Sequence, residues 1–303
     1  MRVTQSMLSN NMLRNLTSSY NKMGKLQDQL NTGKKINRPS DDPVVAMKGM
    51  GYRMQVDKVE QFKRNLGEVH NYLDSSDDAL DGVGQALKRV QELTIDAANG
   101  TKTDDDRQKI LKEIEQLREQ IRDLGNTKVG DKYLFSGTKT GSPLFEGDPT
   151  TIGGVLPSNP PGKPVEGFES DVSIEVFDGV ELKVNTNGYK LFSEVDDMMD
   201  KLITSIKTNE GSTAISDHLS SISKAQDSVL ETRADIGARQ NRAEMMSNRL
   251  DSQELSAIKQ MSENEDIDYE KTITEMLTQE SIHRAALSVG SRIIQPSLVD
   301  FLR

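Results

Sequence analysis

The sequence contains no cysteine and no tryptophan, and aromatic residues fill only 4% of its 303 positions. Without cysteine there is no disulfide, no thiol nucleophile and no thiolate metal ligand. With so few aromatics a thick globular core is hard to fill, whereas the narrow seams of a helical bundle need only aliphatic side chains. Histidine is scarce as well. His70, His218 and His283 lie far apart on three separate expected helices, and none belongs to an H-E-x-x-H pair. Between Gly137 and Lys190 there is neither His nor Cys, which speaks against an enzyme housed in that stretch. No apolar run approaches the roughly 18 residues of a membrane span. Met1 to Ser6 lacks an apolar h-region, so no conventional signal peptide is expected. The formal net charge of −10 argues against a nucleic-acid binder, because phosphate contact needs a basic surface.

What the chain does have is heptad periodicity. Val59, Phe62, Leu66, Val69, Leu73, Ser76, Leu80, Val83, Leu87, Val90, Thr94 and Ala97 follow one another in unbroken steps of three and four. Such a seam predicts one long helix packed against others. At 1.5 Å per residue it would run about 58 Å. Ahead of it, Met12, Leu16, Met23, Leu26 and Leu30, with Ser19 in the gap, predict a helix over 5–32 that stops at Gly33. Between the two lies the turn Pro39-Ser40-Asp41-Asp42-Pro43. Asp42 suits the capping position, and Pro43 suits the first helical position, where no N–H is needed.

The long helix should break at Asn99-Gly100. Thr103 and Asp106 resemble a capping box for the next helix, whose seam is Ile110, Ile114, Leu117, Ile121 and Leu124. Asp104 to Asp106 sit where a helix dipole favours negative charge, and a calcium loop would need ligands further along. Composition then shifts. Six of the nine prolines fall between Pro143 and Pro164, and nine of the 22 glycines between Gly137 and Gly188. Val172 to Phe177 and Val180 to Val184 alternate about Asp178-Gly179, a strong hairpin signal. Thr150 to Lys163 reads as an exposed loop.

Helix is expected again from Ser193, with Asp196 as the second half of a capping box. A longer one follows with Ile215, Leu219, Ile222, Gln226, Val229, Arg233, Ile236, Gln240 and Ala243. Its polar seam residues either set register, meet another subunit or face solvent. Asp266-Ile267-Asp268 looks like a helix start rather than a metal-binding D-x-D. The last helix carries Ile273, Met276, Leu277, Ile282, Ala285 and Leu287. The chain then ends with Leu298, Val299, Phe301 and Leu302, apolar residues with little to cover them. Gly82-Val83-Gly84 and Gly49-Met50-Gly51 have no strand before them, so neither predicts a nucleotide site.

The plan is palindromic: helix, long helix, shorter helix, insert, helix, long helix, terminal helix. It predicts a mainly α fold, an elongated antiparallel helical bundle with paired N- and C-terminal coiled-coil helices and a small β-rich insert. Three parts are expected: residues 1–43 with 262–303 as a terminal coiled coil, 44–136 with 191–261 as a helical rod, and 137–190 as the insert. The terminal part has few apolar residues to bury and is expected to stay loose until packed against neighbours. Met12, Leu16, Met23, Leu26, Leu30, Ile273, Met276, Leu277, Leu287, Leu298, Phe301 and Leu302 are its candidate subunit-packing residues.

Three motifs now carry a resemblance. Gln29-Leu30-Asn31-Thr32-Gly33-Lys34-Lys35-Ile36-Asn37-Arg38-Pro39-Ser40-Asp41-Asp42-Pro43 resembles the N-terminal signature of bacterial flagellin-like axial proteins. Lys88 to Thr101 is similar to the segment that ends their long helix, and Ile236 to Arg242 to its C-terminal counterpart. The likeness covers both helical arms and leaves the insert uncovered. It implies an extracellular structural subunit of the flagellum, with no cofactor, exported unfolded by the type III route. Pro39 to Pro43, and Tyr133-Leu134-Phe135-Ser136-Gly137 leading into a small insert, favour a post between hook and filament over the filament itself. Implied partners are the first hook-associated protein, flagellin, copies of the chain in a ring and a cytoplasmic export chaperone. A non-flagellar type III tip protein fits these motifs less well. In flagellins an Arg, a Leu and a Glu contact an innate immune receptor, and Arg89, Leu93 and Glu113 stand at the matching positions.

Overall fold

Helix α1 (Gln5–Thr32) is followed by α2 (Pro43–Ala97) and α3 (Asp104–Gly125). Strands β1 (Lys128–Val129), β2 (Lys132–Tyr133), β3 (Ser173–Phe177) and β4 (Val180–Lys183) come next. Helices α4 (Gly188–Lys207), α5 (Ser212–Glu265) and α6 (Tyr269–Ile294) complete the order. The structure, a computed structural model, describes residues 5–100, 102–145, 167–168, 170–208 and 211–294. The expected loop at Thr150 to Lys163 therefore lies outside the described residues. The chain separates into two units, Val59–Asp251 and Met1–Lys58 with Ser252–Arg303.

In the larger unit all twelve seam residues from Val59 to Ala97 are buried. The ten apolar ones share one core with Ile110, Ile114 and Ile121 of α3, Phe192, Val195, Met199, Leu202 and Ile206 of α4, and Ile215, Ile222, Val229 and Ile236 of α5. Burying an aliphatic side chain contributes about 1.5–3 kcal/mol, so this seam dominates the unit's stability. Helix α3 starts where its cap predicts: Thr103 Oγ1 accepts the Asp106 N–H at 3.3 Å.

Helix α4 departs from expectation. It begins at Gly188 rather than Ser193, and Asp196 caps nothing. Instead Asp196 is buried and takes both Arg118 and Arg122 of α3, each with Nε 2.8 Å from one of its oxygens. Burial alone would raise the Asp196 pKa; the two guanidinium groups more than reverse this and hold it below the ordinary value.

The hairpin β3–β4 is antiparallel about Asp178-Gly179, with Gly179 at φ 69°, and a register shift between Glu175 and Phe177. The short hairpin β1–β2, turning at Gly130, was not legible in the sequence. Leu134, Phe135, Leu144, Phe145, Phe168, Val176, Leu182 and Val184 join the same core as the helices. Phe135 meets Phe192 edge-on at 5.0 Å, and Phe177 stacks near Phe62 at 6.1 Å. Gly137 holds φ 59°, and a Cβ there would collide with the Gly167 and Phe168 carbonyls.

Candidate assembly surface of the terminal helices

The smaller unit pairs α1 with α6. Gln279 Nε2 donates to Ser19 Oγ at 2.7 Å, and the Tyr20 and His283 rings lie 6.1 Å apart. Gly290 sits so close to Met12 that a Cβ would overlap the Met12 methyl. The helices are therefore antiparallel, and both are formed in the single chain, where the sequence suggests looseness. The inner row of α1 is the expected one: Met12, Leu16, Ser19, Met23, Leu26 and Leu30 are all at least half-buried.

The inner row of α6 differs. It consists of Thr272, Met276, Gln279, His283, Ala286 and Gly290, in steps of four and three. Apart from Met276 these residues are small or polar, and Gly290 lets α1 approach closely. Of the residues named in advance on this helix, Met276 alone lies in that row. Ile273, Leu277 and Leu287 are exposed, Leu277 by 59%, and Ile282 joins them. Leu298, Phe301 and Leu302 lie outside the described residues. The apolar face of α6 thus points away from its partner helix.

A polar knot closes the end of this pair where α1 stops and α6 begins. The Lys35 N–H donates to the Glu265 carbonyl at 2.7 Å, and the Ile267 N–H to the Gly33 carbonyl at 3.0 Å. The Glu265 side chain is buried, and one of its oxygens lies 2.6 Å from both Lys34 Nζ and Arg53 Nη2. Gly49 leaves room for it, since a Cβ there would strike the carboxylate. Burial would raise the Glu265 pKa, but Arg53 and Lys34 outweigh burial and hold it below the ordinary value.

The sign of that shift makes a prediction. A depressed carboxylate pKa stabilises fully above the unfolded value of about 4.3, and the contribution is lost as pH falls through the folded value. Glu265→Gln should cost about 1–3 kcal/mol at neutral pH, because both cations keep water on their outer sides. Amide exchange in α1 and α6 should then be faster in the variant at pH 7. The gap between variant and wild type should close in acid, below pH ~4.

The turn before α2 is built as its residues suggest. Asp42 Oδ1 accepts from the Val44 and Val45 N–H groups at 3.0 and 3.1 Å, and Pro43 opens the helix. Asp41 Oδ2 accepts from the Arg38 N–H at 3.1 Å and the Asn37 N–H at 3.4 Å. The Arg38 bond is the main reason the Asp41 pKa is lowered. Pro39 and Ser40 are exposed at the tip of this turn.

In the larger unit, Arg89 Nε meets Glu113 Oε1 at 2.8 Å on an exposed surface, while Leu93 is only 5% exposed and belongs to the core. The structure thus brings Arg89 and Glu113 together and turns Leu93 inward. The Asp266-Ile267-Asp268 stretch does start a helix: Asp268 Oδ1 accepts the Lys271 N–H at 3.1 Å. Among the described residues no cluster of His, Asp or Glu is placed to hold a metal ion. No described helix is long and apolar enough to cross a membrane. Sequence reasoning missed Glu265, Lys34 and Arg53 as a set. The lysine pair at 34–35 and the acids at 263–266 were the available signal, but nothing local joins them across more than 200 positions.

Two family models match the chain. The bacterial flagellin N-terminal helical region covers residues 3–140, and the bacterial flagellin C-terminal helical region covers residues 219–302. The flagellar hook-associated protein 3 of Escherichia coli is 27% identical, over 93% of this chain and 93% of that protein. The structure of a putative flagellar hook-associated protein from Vibrio parahaemolyticus is 23% identical with a TM-score of 0.65. It covers 75% of this chain and all of that one. The flagellar junction protein FlgL from Legionella pneumophila has a TM-score of 0.55 at 15% identity, covering 72% of this chain and all of that one.

Proposed function

Since the chain belongs to the bacterial flagellin family, we propose that it is the structural subunit joining the flagellar hook to the filament. One observation carries the reading. Of the nineteen large hydrophobic side chains exposed among the described residues, sixteen lie in the smaller unit, from Met7 to Met54 and from Leu255 to Val289. Apolar surface on this scale marks an interaction site. Met47, Met50 and Met54 lie on α2 opposite the buried Gly49 and are all exposed. The terminal unit is therefore the assembly unit. Its neighbours are copies of the chain in a ring, the first hook-associated protein on the cell side and flagellin on the other. The subunit is secreted by the type III route, held beforehand by a cytoplasmic chaperone, and works outside the cell without catalysing a reaction.

Labelled antibody against the protein tests this directly. The expected result is a thin band at the tip of the hook. Staining along the whole filament would instead make the chain a filament flagellin.

A further inference from the structure

The seam that holds α2 to α5 repeats almost perfectly every seven residues. On α2, Leu66, Leu73, Leu80 and Leu87 form one row and Val69, Ser76, Val83 and Val90 the other. On α5, Ile215, Ile222, Val229, Ile236, Ala243 and Leu250 form a buried row at the same spacing. Packing of this kind changes little when one helix slides past the other by a whole heptad, about 10 Å. Aliphatic complementarity alone leaves the register nearly degenerate.

The second row of α5 is polar: Gln226, Arg233 and Gln240, again seven apart. Each has a partner on α2. Gln226 Nε2 donates to Gln91 Oε1 at 3.2 Å, and Gln240 Nε2 to Asp74 Oδ1 at 2.8 Å. Arg233 grips two acids, with Nε 2.8 Å from Asp77 and Nη1 2.5 Å from Asp81. Further along, the polarity reverses: Lys63 of α2 meets Asp251 of α5 at 2.8 Å. A slip of one heptad in one direction would carry Arg233 to the level of Lys88. The opposite slip would trade its two acids for Asp74 and move Asp251 from Lys63 to Val56.

We infer that Arg233, with Asp77 and Asp81, is a register lock: it selects one alignment of two helices whose apolar seam would accept several. Polar seam residues that choose alignment at some cost in stability are the best-attested use of such groups. All three α5 residues meet α2 of their own chain.

The protein has no cysteine, so Glu68→Cys and Asp227→Cys, both on exposed positions, can carry spin labels on the full chain without background. The parent should give a single interlabel distance. The triple variant Arg233→Leu, Asp77→Leu, Asp81→Leu should add a second population displaced by about 10 Å. The swap Arg233→Asp, Asp77→Arg, Asp81→Arg, combined with Lys88→Asp so that the slipped alignment again sets like charges together, should return to the single parental distance. A triple variant that keeps one unshifted distance overturns the lock. So does a folded swap variant with two distances, and that arm decides the matter if the triple variant loses its helical signal.

Discussion

Replacing Asp196 by alanine is expected to lower the stability of the larger unit by about 3–5 kcal/mol. Arg118 and Arg122 converge on this one carboxylate from successive turns of α3, and all three side chains are largely shielded from water. Remove the acid and two guanidinium groups face each other across the space it occupied. Their mutual repulsion is then little screened, and their hydrogen bonds to Asp196 are gone. Asp200 still meets Arg118 at 2.8 Å, but from a more exposed position. Denaturant unfolding followed by circular dichroism would read the loss as a lower midpoint at unchanged slope. A second variant separates the lost charge from lost packing. Replacing the trio together, with Asp196→Leu, Arg118→Met and Arg122→Met, should recover most of the stability, because a buried ion pair adds little over apolar side chains of similar size. In acid the wild type should approach the alanine variant. The Asp196 pKa is depressed, so its contribution holds above about pH 4 and fades as pH falls through the folded value.

The case of Asp196 also shows where reading the sequence falls short. Ser193 and Asp196 have the spacing of a capping box, but the same spacing occurs within helices, and Asn187-Gly188 five residues earlier ends the extended chain. Periodicity was a sound guide wherever one face of a helix meets a core, as in all twelve seam residues of α2. On α6 it marked a face that the single chain leaves exposed, for a physical reason. The most apolar face of that helix, with Ile273, Leu277 and Leu287, is exposed in the single chain, while the face against α1 is Thr272, Met276, Gln279, His283, Ala286 and Gly290. A hydrophobic pattern marks the face that ends up buried, and cannot say whether the burying partner is the same chain. The hairpin about Asp178-Gly179 was legible because its strands alternate and its turn residues are specific. Strands β1 and β2, two residues each, are too short to show a period. The knot at Glu265 joins segments remote in sequence, and a single sequence carries no signal for such pairs.

The imbalance between the two units leads to the second large effect. A chain cut to residues 59–251 should fold, stay monomeric and melt cooperatively, yet restore no motility to cells lacking the full protein. The connected hydrophobic core, from Val59 to Leu250, lies entirely within that piece. Lys63 and Asp251, paired at 2.8 Å, bring its two ends together, so both can be freed without opening the bundle. The discarded part has little core: among its described residues the buried hydrophobic ones are Ala46 and Ala257, beside the half-buried inner row of α1. These bury too little surface to offset the entropy of ordering the segments around them. Those segments are held by the polar knot, by the close α1–α6 approach and, in the proposed role, by neighbouring copies. The cut protein should therefore keep its helical signal per residue and its melting temperature within a few degrees, while sedimenting as a monomer where the full chain joins filaments. Growth of attached filaments from the cut protein would show that the exposed side chains of the terminal unit are not the assembly surface. A cut protein that failed to melt cooperatively would show instead that the long-helix core depends on the ends it has lost.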